Sequence, residues 1–299
     1  MAVKLASHGA RVSMVLCLLG APSLAPAQSA SAPAPMPDTR AFLEEVRRNL
    51  ASDESLLENY TFSEQYTERR LDGSGGVKSV KQELFEVYPS VEPGKVYRRL
   101  VVRDGKKLTE QELAEQDKKH EAKSERRLSR HAGEDEEERR ARLEGDTEKE
   151  REVVDEVFKM DDIRVAGREV IDGRPAIVVT FTPKPGYKPV TKGAKVIQKL
   201  DGRAWIDEQD KQLVRLEGRL IENVGVGPIK LARLQKGATA YFQRRKVNDE
   251  IWLPAEARFA GAAKVFLVFG ERLELQSRYS DYKKFSVGTE ESVTETPGN

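Results

Sequence analysis

Asp-Gly occurs at 72–73, 104–105, 172–173 and 201–202, each time beside a run in which apolar and charged residues alternate. A two-residue turn of this kind needs a positive φ, and it can join only antiparallel neighbours, because parallel strands require a long crossover. The repetition therefore predicts an antiparallel meander. In the stretch 213–220, Val214, Leu216 and Leu220 fall on one side, and Arg215, Glu217 and Arg219 on the other. That is the pattern of a sheet covered on one face and wet on the other.

Similar runs extend from Tyr60 to the C-terminal region. Strands are expected around Tyr60, Phe62 and Tyr66, over Leu84 to Tyr88, on both sides of Asp172-Gly173, and in four further segments after 229. Turns are expected at Asn248-Asp249, near Gly261 and around Ser280-Asp281. The segment 264–279 reads as one long strand with Val265, Leu267, Phe269, Leu273 and Leu275 on a single oily face and Gly270 as a point of bending.

Two segments break the strand pattern. Residues 39–50 place Phe42, Leu43, Val46 and Leu50 at helical spacing behind Asp38 or Thr39 as N-cap, which predicts an amphipathic helix. Residues 108–160 are rich in Glu, Lys, Arg and Ala, with opposite charges three and four apart, which predicts helix divided at Gly133 and Gly145 into two or three pieces. So polar an insertion is a solvated helical excursion or an arm that contacts a partner.

The N-terminus carries Lys4 and Arg11, an apolar run from Val12 to Leu19 and the small-residue pattern Ala25-Pro26-Ala27. These are the parts of an export signal spanning 1–27, and they place the mature chain in the periplasm. Residues 28–38 are expected to be a flexible linker, 39–287 the folded domain with its insertion at 108–160, and 288–299 a disordered tail. Cys17 is the only cysteine and leaves with the signal. Leu16 before it does not fit lipid attachment, and disulfides are excluded from the mature chain.

Loss of Lys4 and Arg11 from 51 basic residues, against 50 acidic ones, leaves a nearly neutral chain. No basic stripe with interleaved aromatics is present, so nucleic acid is not an expected partner. Of the histidines His8, His120 and His131, one leaves with the signal and two lie among solvated charges. No zinc ligand set, phosphate-binding loop or nucleophile elbow is found, which predicts a non-enzyme with neither metal nor cofactor.

Trp205 with Asp207, Trp252 with Pro254, and Tyr282 with Phe285 occur in a fixed order behind the export signal and helix. In this the chain resembles the LolA/LolB-like superfamily, and within it the outer membrane lipoprotein-sorting protein group, over residues 40 to 287. The resemblance implies an α+β fold: a half-open antiparallel β-barrel of about eleven strands, with an N-terminal helix and helices over the concave face. It also implies a binding or carrier role in outer-membrane biogenesis, with a lipid or lipoprotein acyl chain in the concavity; the protein is separately expected to be a monomer. The expected ligand contacts are Leu216, Phe242, Trp252, Leu267 and Phe269. The alternative is an envelope protein-protein interaction or stress-sensing module that uses the charged insertion at 108–160.

Overall fold

The computed structural model describes residues 35–50, 60–90, 96–130, 132–226, 232–265 and 269–284. The expected export segment and tail lie outside the described residues, as do Leu267 and Phe285. Among the described residues no helix is long and apolar enough to cross a membrane.

Helix α1 (Thr39–Asn49) begins where Asp38 Oδ1 accepts the Ala41 N–H at 2.8 Å, which satisfies one of the orphan donors of a first turn. The strands follow as β1 (Tyr60–Leu71), β2 (Val77–Pro89), β3 (Val96–Arg103) and β4 (Lys106–Lys107). Helices α2 (Glu110–Arg130) and α3 (Glu136–Met160) come next, then β5 (Asp161–Ile171), β6 (Arg174–Pro183) and the short α4 (Lys192–Ile197). The remainder is β7 (Leu200–Asp207), β8 (Leu213–Leu220), β9 (Val224–Val226), β10 (Ala232–Leu234), β11 (Thr239–Val247), β12 (Ile251–Val265) and β13 (Phe269–Lys284).

Neighbouring strands form an eleven-strand antiparallel path, β4-β3-β2-β1-β13-β12-β11-β8-β7-β6-β5, and β10 with β9 forms a spur on β12. The fold is α+β with a large antiparallel sheet whose two ends remain unpaired with one another. Asp104-Gly105 and Asp172-Gly173 turn with positive φ at both residues, as do Asn248 and Asp249. These are the geometries of tight hairpins. At the β1–β2 turn, Asp72 Oδ1 accepts from Ser74 N, Ser74 Oγ and Gly76 N.

The fourth Asp-Gly is not a turn. Asp201 and Gly202 lie inside β7. A Cβ at Gly202 would sit 1.9 Å from the Glu217 carbonyl oxygen and 2.8 Å from the Phe181 ring, so the glycine admits close packing. Gly261 is likewise inside β12, where a Cβ would meet that of Ala238 at 2.6 Å. Ser280-Asp281 is a bulge in β13 rather than a turn: Ser63 pairs with Ser280 but Thr61 with Lys283, and Asp281 has φ 56°. The segment 264–279 is not one strand, since β12 ends and β13 begins within it and Val265 pairs with Phe269.

Gly133 separates α2 from α3, but Gly145 stays within α3. Helix α3 starts with a capping box between Asp135 and Glu138. Both ends of the insertion are docked. On α2, Gln116 hydrogen-bonds both the N–H and the carbonyl of Leu100, and Asp117 receives Arg99 through two bonds of 2.9 Å. On α3, Asp155 accepts Arg47 Nε of α1 at 2.6 Å, and Glu156 accepts the Val190 and Thr191 N–H groups.

Candidate functional site: the two faces of the sheet

Directly paired residues on antiparallel strands share a face, so the register sorts every strand into two sets. One set contains Ile177, Val179, Ala204 and Ile206, which bury Phe42 and Val46 of α1 together with Phe158 of α3. The other contains Val178 and Trp205, which pack with Ile171, Ala176, Val214 and Trp252. Trp252 is on β12 and Ile171 on β5, five strands away in the path. Between them the cluster runs across β6, β7 and β8, and contacts that skip these strands show the sheet curling with this second face inward. The curl is tied by Gln243 Nε2 of β11, which donates to Asp172 Oδ2 in the β5–β6 turn at 3.3 Å, and by Arg174 lying 5.6 Å over the Trp252 ring.

The second face is therefore the inner one, and it holds a cavity of about 910 Å³ lined by β6, β7, β8, β11, β12, β13 and β1. Its floor is charged. One row of paired residues runs Thr180, Arg203, Glu217, Tyr241, Arg258, Gln276, Thr67. The next runs Asp201, Arg219, Thr239, Ala260, Glu274, Arg69. Arginines and aromatics interleave across the strands: Arg203 lies 4.7 Å and Arg215 5.3 Å from the Trp205 ring, while Arg258 lies 3.8 Å from that of Tyr241. Most of these charges are spoken for. Arg219 bonds Asp201 at 3.0 Å, and that bond holds its guanidinium above the ordinary value. Arg203 bonds Glu169 at 2.9 Å, and Arg69 approaches Glu274 at 3.8 Å.

The outer face carries the apolar row Val179, Ala204, Leu216, Phe242, Ala257. Leu216 and Phe242 are register partners, both half-buried. Leu216 packs against the cluster under α1. Phe242 is half-buried opposite Leu216 and Ala257, and further along the same face Leu220, Val224 and Ala238 form a second cluster with Phe259. These two residues, expected in the concavity, stand in a row of opposite parity to the cavity floor. Helix cover is split as well, with α1 on the outer face and α2 against Tyr97 and Arg99, whose parity is that of the inner face at the β3 edge.

Trp252 is 6% exposed, and its Nε1 donates to Asp210 at 2.9 Å, so it is a wall of the inner core. Burial pushes the Asp210 carboxyl up, and the hydrogen bonds from Lys246 and Trp252 more than offset this, leaving it below the ordinary value. Phe269 is placed by its pairing with Val265 at the end of the β12–β13 hairpin. Of the five expected contacts, the fold brings together Leu216 and Phe242. Glu217, Tyr241 and Arg258 were not singled out by sequence reasoning; their alternation marks them as facing away from the oily side, but only the register places them in one row.

No protein-family model matches the chain, and no curated protein matches it. Among solved structures it is similar to an outer membrane lipoprotein-sorting protein domain from Vibrio parahaemolyticus, at 11% identity over 84% of this chain and 93% of that one, with a TM-score of 0.30. It is similar to a LolA superfamily protein from Nitrosomonas europaea, at 10% identity over 87% and 99%, with a TM-score of 0.25. It is similar also to a chain of the Pseudomonas aeruginosa MucA/MucB complex, at 9% identity over 82% and 98%, with a TM-score of 0.23.

Proposed function

We propose that this protein is a non-enzymatic periplasmic binding protein that carries lipid or lipoprotein acyl chains on the outer strip containing Leu216 and Phe242. The observation that carries the reading is the pairing of Phe242, a large apolar side chain left half-buried, with the half-buried Leu216 on the outer face. Apolar strips left partly open on an exported protein are candidate binding surfaces. An acyl chain laid along this one gains about 0.8 kcal/mol for each methylene it buries. The export signal read at 1–27 supplies the compartment. Native mass spectrometry of protein purified from its own envelope tests this. Bound lipid in the wild type and its loss in Phe242→Asp support the reading, and a lipid-free mass that takes up no fatty acid or lipopeptide contradicts it.

A second reading rests on the insertion. Helices α2 and α3 are fastened at Asp117 and Asp155, and between these points Lys119, Lys123, Arg126 and Arg130 form one charged stripe with Leu128 exposed beside it. That arrangement suits docking to another envelope protein. Reversing the exposed stripe with Lys123→Glu and Arg126→Glu separates the two readings, because a carrier retains lipid uptake and a docking module loses its partner.

A further inference from the structure

The inner cavity has no role in the carrier reading, yet its floor is built of interleaved charged and polar residues. Pairing neutralises most of its charge: Asp201 with Arg219, Arg203 with Glu169, and Arg69 near Glu274. On the row through Tyr241, two charged side chains make no hydrogen bond to a side chain of opposite charge. Glu217 makes no hydrogen bond or ion pair among the described residues. Arg258 makes no hydrogen bond there and has only Glu256 at 3.8 Å, a carboxylate that already accepts Gln276 Nε2 at 2.5 Å. Both are exposed, and each is a register partner of Tyr241, one on β8 and the other on β12.

The Arg258 guanidinium lies 3.8 Å from the centre of the Tyr241 ring. Stacking of this kind fixes a guanidinium while leaving its N–H edge free for a carboxylate. Across the ring from it stands a free carboxylate. Strand spacing sets the two backbone positions about 10 Å apart, which is the span of about three extended residues of peptide.

We propose that this cavity binds a short zwitterionic peptide, of about three to five residues by that span, with its ammonium end at Glu217 and its carboxylate end at Arg258. Thr67, Thr180 and Gln276 complete the row with uncharged polar groups, and Thr239 lies in the next one. The volume of about 910 Å³ is ample for such a ligand. A glycan fits less well, since Tyr241 is already covered by Arg258 and Trp205 is 2% exposed, so neither ring offers a stacking platform. A polyanion fits less well too, because the cations of the floor are interleaved with Asp201, Glu217 and Glu274.

Calorimetric titration of the full mature protein with tri-, tetra- and penta-alanine tests this, each with free ends, N-acetylated or C-amidated. Free-ended peptide should bind, and blocking either end should weaken binding by about tenfold, the effect of losing one charged hydrogen-bond pair. Glu217→Gln should weaken the free peptide similarly and become indifferent to N-acetylation, while Arg258→Gln should become indifferent to C-amidation. Both substitutions are at exposed strand positions, and unchanged circular dichroism confirms that the fold is kept. Phe242→Asp, on the other face, should leave peptide binding untouched, so failure of the carrier reading and failure of this one are distinguishable. The proposal is overturned if no alanine peptide binds at millimolar concentration, if end-blocking changes nothing, or if both single variants respond to blocking as the wild type does.

Discussion

Arg174 donates two hydrogen bonds to Asp207, at 2.7 and 3.0 Å, and Asp207 is wholly buried. The same guanidinium reaches Asp210 at 3.2 Å and lies over Trp252. One side chain thus joins β6, the β7–β8 turn and β12, the three parts that must meet for the sheet to curl.

Removal of this cation leaves a carboxylate stranded in the core. Arg174→Met should cost about 3 kcal/mol or more, the usual penalty for orphaning a buried charge. Asp207 keeps the N–H groups of Gln209 and Asp210, so the fold should survive. Urea unfolding measures the loss, and a change below about 1 kcal/mol, within the range of a surface pair, would show that the contact does not hold the curl.

Gly202→Ala is expected to be far worse than Gly218→Ala, although the two are register partners. The new methyl at 202 meets backbone at 1.9 Å, whereas at 218 its nearest neighbour is Leu200 Cδ2 at 3.7 Å. The first should destabilise by about 3 kcal/mol, the upper range for overpacking, and the second by less than about 1 kcal/mol. Thermal melts of the two variants decide, and equal losses would contradict the packing described for Phe181 over Gly202.

Asp161 sits where α3 passes into β5, 2% exposed, with neither carboxylate oxygen hydrogen-bonded. Burial raises its carboxyl from 3.8 to about 6, opposed only by Lys184. A carboxyl that binds its proton more tightly when folded stabilises the protein fully below its unfolded value. That contribution is lost as pH rises through about 6. The full penalty is about 3 kcal/mol at 1.36 kcal/mol for each pH unit. Asp161→Asn should therefore stabilise by roughly 1–3 kcal/mol at pH 7.5 and by almost nothing at pH 4. The same gain at both pH values would remove ionisation as the cause.

Docking of α2 depends on Asp117. Its hydrogen bonds from Arg99 hold the carboxyl below the ordinary value against the opposing effect of burial, and Tyr97 O–H adds a third bond at 2.7 Å. His120 stacks on Tyr97 with centroids 3.9 Å apart. Asp117→Ala should cost about 1–3 kcal/mol, as for hydrogen bonds to a charged group, and the loss should be local. Hydrogen exchange is the measurement: amides of 110–130 should exchange faster while those of β7 and β8 do not, and uniform acceleration would mean that the helix is integral to the sheet.

Much of the fold was legible in the residues. The Asp-Gly and Asn-Asp turns, the helix at 39–49, the helical insertion and the half-wet sheet follow from turn chemistry and periodicity alone. What was not legible depends on partners distant in sequence. Asp201-Gly202 has the composition of a turn, but Glu217 and Phe181 make it a packing site. The break between Val265 and Phe269 carries no Gly, Pro, Asn or Asp to announce it. Alternation separates Leu216 from Glu217, but it cannot say which of the two looks into the hollow, because that is decided by curl, and curl by contacts such as Gln243 with Asp172. For the same reason the oily candidates were expected inside, and the charged row of Glu217, Tyr241 and Arg258 went unnoticed.

The central claim, that hydrophobic cargo rests on the outer strip, is tested most directly by photo-cross-linking with a fatty acid bearing a diazirine on its chain, followed by peptide mapping. The account predicts label on Leu213–Leu220 and Thr239–Val247, at outer-face positions that include Leu216 and Phe242, and its disappearance in Phe242→Asp. Label on inner-face residues such as Tyr241 and Arg258, or none at saturating ligand, would contradict it.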